Sequence, residues 1–99
     1  MRKGTTPTFT FELPFSTDLL TKARVIFEKG DTQLPKELNT ASFDGNTIKV
    51  RLTQEETFLF PCNSQIKVQL RVLTKNGEAL ASDPFIIFVE ECLDNEVLT

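Results

Sequence analysis

The sequence predicts an all-β fold: an antiparallel two-sheet sandwich, immunoglobulin-like, of six to seven strands with at most one short helical turn. Three observations carry that expectation. Residues Gln65 to Val72 read Gln-Ile-Lys-Val-Gln-Leu-Arg-Val, polar and apolar in strict alternation. Only a strand, whose successive side chains point to opposite faces, keeps such a pattern on one side. Turn signals recur about every 8–12 residues, the spacing of a sandwich. No run of 3.6-residue period long enough for a helix interrupts them.

The elements follow in order. Thr8 to Leu13 alternates, placing Phe9, Phe11 and Leu13 on one face, and Pro14, which has no N–H for a ladder, closes the strand. Ser16 to Leu20 is a polar bend in which Ser16 can cap a single turn. Lys22 to Glu28 is the second strand. Its Ala23, Val25 and Phe27 point inward, and Lys22, Arg24 and Glu28 outward. Ile26 then falls on the outer side, toward solvent or under a neighbouring protein. Lys29-Gly30-Asp31 is a turn. Pro35 restricts Thr32 to Leu38 to an edge strand or a loop, with Asn39 to Phe43 as an extension.

Asp44-Gly45-Asn46 turns the chain into Thr47 to Thr53, which carries Ile48, Val50 and Leu52 inward. Thr53 and Glu56 have the spacing of a capping box, the start of one helical turn bridging the two sheets. Phe58 and Phe60 after it are expected to plug the core, and Pro61 to Ser64 to form a loop. Asn76-Gly77 is a strong hairpin signal, and the chain returns through Asp83 to Glu90. With Phe85, Ile87 and Val89 facing the core, Ile86 and Phe88 form an outer stripe. A strand apolar on both faces is covered twice, here by a loop of its own or by another subunit.

Ninety-nine residues make one domain, 1–99, with 1–6 and 94–99 expected to be flexible. The net charge is −3 and no basic cluster stands out, so nucleic acid is not an expected partner. No segment reaches the ~18–20 apolar residues of a membrane span, and none follows Met1-Arg2-Lys3 as a secretory signal requires. Synthesis in the cytosol is the expectation, and with it Cys62 and Cys92 as two reduced thiols. Nine phenylalanines without Tyr or Trp predict a phenylalanine-filled core, because rings without a polar handle gain nothing from a half-wet position.

The chemistry available is sparse. The absence of histidine removes the commonest general base near neutral pH and the commonest zinc ligand. Cys62 has no cationic neighbour in sequence to lower its pKa. Glu55-Glu56 and Glu90-Glu91 are adjacent pairs, and adjacent side chains on a strand diverge. Asp44-Gly45-Asn46 resembles a fragment of a calcium loop but reads as a turn. Four isolated glycines build no phosphate cradle. The expectation is a non-enzymatic module with no catalytic residue, metal or cofactor. Its interface candidates are Ile26, Ile86 and Phe88.

Two stretches carry a resemblance. Lys67-Val-Gln-Leu-Arg-Val-Leu-Thr-Lys-Asn-Gly-Glu-Ala-Leu-Ala-Ser82 resembles a hairpin of small phage and prophage sandwich domains, among them the N-terminal domain of phage baseplate upper proteins. Gln69, Arg71, Gly77 and Ser82 stand at its matching places. The opening Thr6-Pro-Thr-Phe-Thr-Phe-Glu-Leu-Pro-Phe15 is similar to short prophage-encoded proteins of Firmicutes. The resemblance implies a structural or accessory protein of the baseplate, tail or head, made in the host cytoplasm and carried in the virion. It would work by self-association or by contact with other virion proteins, with no nucleic acid or membrane as partner. A carbohydrate- or cell-wall-binding module is the alternative, disfavoured by the lack of Tyr and Trp to stack on sugars.

Overall fold

The computed structural model describes residues 1–91. Cys92 and the acidic stretch 94–99 lie outside the described residues. The chain forms β1 (Thr8–Glu12), β2 (Leu20–Lys29), β3 (Thr32–Leu38), β4 (Phe43–Asp44), β5 (Thr47–Arg51), the single turn α1 (Gln54–Thr57), β6 (Ser64–Thr74), β7 (Ala79–Ala81) and β8 (Phe85–Val89). Two antiparallel sheets result. The smaller has the order β1-β5-β4, and the larger β3-β2-β6, with β7 and β8 sharing the far side of β6. Among the described residues this is the immunoglobulin-like arrangement, the smaller sheet taking the places of strands B, E and D and the larger those of C′, C, F and G.

The alternation read from the sequence sets the faces. Val25, Phe27, Ile48, Val50, Ile66 and Val68 are buried, each at the inward position of its strand, as is Leu52 just past the end of β5. Pro35 sits in β3, which is indeed an edge strand, opposite Ile26 of β2. Asn39 to Phe43 does not extend β3. Asn39 instead caps a 3-10 turn over Thr40–Ser42, its Oδ1 accepting from the Ala41 amide at 3.0 Å. This local side-chain bond competes with the ladder. Ser16 caps a second such turn, Thr17–Leu19.

The interior is aliphatic rather than aromatic, which corrects the phenylalanine-filled core. Phe27 and Phe60 are fully buried. Phe9, Phe11, Phe15 and Phe43 pack against the core only in part, and Phe85 and Phe88 are exposed. Facing sheets lie about 10 Å apart, a gap that branched aliphatic side chains of β2, β5 and β6 fill. Most rings lie on edge strands or in connections and so form a rim. There Phe9 meets Phe27 and Phe11 meets Phe85, both at 5.6 Å between centroids.

The hairpin after β6 closes through Lys75-Asn76-Gly77, with the Gly77 amide on Thr74 O at 3.0 Å and Gly77 at φ +85°. That left-handed position is one glycine adopts without strain. The return limb then splits. At Ser82 the chain leaves the ladder: Ser82 N donates to Leu70 O at 2.8 Å, and the Leu70 amide turns to Ser82 Oγ at 3.0 Å. Gln69 Nε2 closes the kink on Ser82 O at 2.9 Å. This break divides the return into β7 and β8 and raises the strand count to eight among the described residues.

Cys62 is disulfide-bonded, which corrects the expectation of a reduced thiol there. The reduced-thiol expectation rested on an inferred compartment, and no residue pattern supported it. With the sulfur in a disulfide, Cys62 offers no nucleophile.

Candidate functional site

The outer face of β8 is the candidate. Among the described residues β8 pairs with β6 alone of the strands, setting Ser64 against Val89, Ile66 against Ile87 and Val68 against Phe85. Val89 is buried and Ile87 half-buried, so the odd positions face the core. Ile86 and Phe88 therefore project outward, 52% and 51% exposed. Their cross-strand neighbours on β6 are Lys67 and Gln65. Phe85, although on the inner side opposite Val68, stays 39% exposed at the rim, where it meets the Phe11 ring.

The backbone of β8 adds a second feature. In an antiparallel ladder the N–H and C=O of one residue point to the same edge, and alternate residues to opposite edges. Phe88 O accepts from Met1 N at 2.6 Å and Glu90 N donates to Met1 O at 3.0 Å, so the even positions face away from β6. The N–H and C=O of Ile86 project toward that same free edge. The site thus joins an apolar stripe to backbone groups facing outward. Beside it, a shallow cleft of about 340 Å³ is lined by Glu28, Lys29, Gly30, Gln65, Lys67 and Ile86.

Ile26 belongs to the same outer face but not to the same patch. It is half-buried between Pro35 of β3 and Gln69 of β6, and β6 stands between it and Ile86. The sequence also gave no warning of an apolar cleft at the other end of β6. Phe15, Leu19 and Leu80 line about 250 Å³ there, with Leu19 and Leu80 exposed. Those residues come from a bend, a 3-10 turn and a three-residue strand, too short for periodicity to mark them.

Glu56 and Glu90 are engaged structurally. Partial burial of Glu56 favours its neutral form, but hydrogen bonds from Lys36 and from Thr53 outweigh it and hold the carboxyl below its ordinary value. Glu90 pairs with Arg2 at 2.8 Å. The Asp44-Gly45-Asn46 turn spends its polar groups on the fold. Gly45 O accepts from Thr17 N and Thr17 Oγ1, and Asn46 Nδ2 donates to Leu13 O. Arg24 and Arg71 face each other across β2 and β6, and Glu37 pairs with Arg24.

No family model, curated protein or solved structure matches the chain. No helix among the described residues is long and apolar enough to cross a membrane.

Proposed function

We propose that this protein is a non-enzymatic assembly module that works by protein–protein contact through β8, as a structural or accessory component of a phage baseplate, tail or head. One observation carries the contact reading: Ile86 and Phe88 stand side by side, half-exposed, on an edge strand whose backbone groups face outward. An added strand would gain main-chain hydrogen bonds along that edge and desolvate the two side chains at once. The occupant is the corresponding edge of a second copy. The virion setting rests on the Gln69, Arg71, Gly77 and Ser82 pattern. The disulfide at Cys62 suits it, since such bonds persist on virion surfaces and are reduced in the cytosol.

Light scattering over a concentration series tests the contact. The full chain is expected to grow in apparent mass with concentration, and Ile86→Lys combined with Phe88→Lys to remain monomeric while melting within roughly 4 °C of the parent, because exposed positions contribute little to stability. A strict monomer at the highest concentration overturns self-association. Capsid, portal or tail genes beside this one support the setting, and their absence overturns it. Binding on a glycan array, lost in the Phe88 variant, favours the carbohydrate reading instead.

A further inference from the structure

Resting on the assignment of β8 as the docking edge, we propose that the N-terminal segment Met1–Gly4 is a strap that guards this edge and limits self-association. Met1 N donates to Phe88 O at 2.6 Å and Met1 O accepts from Glu90 N at 3.0 Å. One residue bonded to positions on either side of Val89 is the pattern of a parallel ladder, so the segment takes the last ladder position of the free edge. A second copy pairing along the whole of β8 must displace Met1 to reach those two groups. Among the described residues the stretch left open is short, the N–H and C=O of Ile86 and the N–H of Phe88.

The strap is held by buried contacts at its root and, at its tip, by an exposed ion pair and the half-buried Met1. At the root, Gly4 N donates at 2.8 Å to Thr57 Oγ1, a fully buried hydroxyl. Gly4 takes φ +82° and runs against the Phe58 ring, where an added Cβ would meet the ring at 3.2 Å. A side chain there would force the ring or the backbone aside. At the tip, the Arg2–Glu90 pair joins side chains 69% and 43% exposed, and such pairs contribute little. The tip can therefore lift while Gly4 holds. Opening costs two backbone hydrogen bonds, a weak ion pair and the packing of the half-buried Met1 side chain against the core, so the guarded edge is reached through a minor open population. Apparent self-affinity falls by that population, a factor of roughly 5–150 from the two hydrogen bonds.

Two variants test this. One begins at Gly4, released from a cleavable tag. The other is the full chain with Arg2→Glu, which repels Glu90. Sedimentation equilibrium gives the dissociation constant, and amide hydrogen exchange at dilution follows the Glu90 N–H in the monomer. The expected result is roughly 5–150-fold tighter self-association of the shortened chain, with loss of Glu90 amide protection. Arg2→Glu should move the same way, and Arg2→Glu with Glu90→Arg should restore the parent. Unchanged Glu90 protection in the shortened chain overturns the strap and leaves the docking reading standing. Lost protection with no association in either chain overturns the guard role and the docking reading together.

Discussion

Lys36 Nζ lies 2.8 Å from both carboxylate oxygens of Glu56, joining the edge strand β3 to the helical turn that connects the two sheets. Lys36 sits opposite Val25, on the core-facing side of β3, so its stem runs along apolar surface to reach Glu56. The same carboxylate accepts the Thr53 amide at 2.8 Å, closing the capping box. One side chain thus caps α1 and ties it to the larger sheet.

The sign of the pH dependence follows from Glu56. Its folded pKa lies below the ordinary 4.5, so its contribution is complete above that value and is lost as pH falls through the lowered folded value. Glu56→Gln is expected to cost roughly 1–2 kcal/mol at pH 7, from a weakened cap and a lost ion pair. It should also flatten the acid limb of stability against pH. Urea titrations at pH 7 and in the acid range check it. A variant with the parent's acid limb removes Glu56 from this role.

The kink at Ser82 gives a second prediction. Leu70 is buried, and its amide has Ser82 Oγ as acceptor. Ser82→Ala strands that amide at a cost of about 1–3 kcal/mol, lowering the melting temperature by roughly 4–8 °C per kcal/mol. Ser82→Thr keeps the oxygen and should recover most of the loss. Equal losses in both variants would assign the effect to packing.

Cys62 gives a third. In denatured, unreduced protein it is expected to resist alkylation, and to react fully after reduction, as read by peptide mass. Reduction should cost roughly 2–4 kcal/mol, the usual contribution of a loop-closing bridge. Alkylation of Cys62 without reductant overturns the assignment.

Much of the fold was legible because strand alternation is local. Val25, Ile48, Val50, Ile66 and Val68 could be placed inward from neighbours two residues away, and all five are buried. The capping box over Thr53 and Glu56 needed only four residues to read. Outward projection of Ile86 and Phe88 followed from the same period. The Phe15, Leu19 and Leu80 cleft did not, because its parts are 4 to 65 residues apart in the numbering and share no repeat.

By itself, then, the chain determined which side chains share a face and where it turns, since both depend on bonds spanning a few residues. Tertiary structure decided which strands became edges, which rings reached the interior and what lay against the free side of β8. The contact of Met1 with Phe88 spans 87 positions. No periodicity carries information over that distance. It arises only when two sheets of unequal width pack face to face and leave a rim.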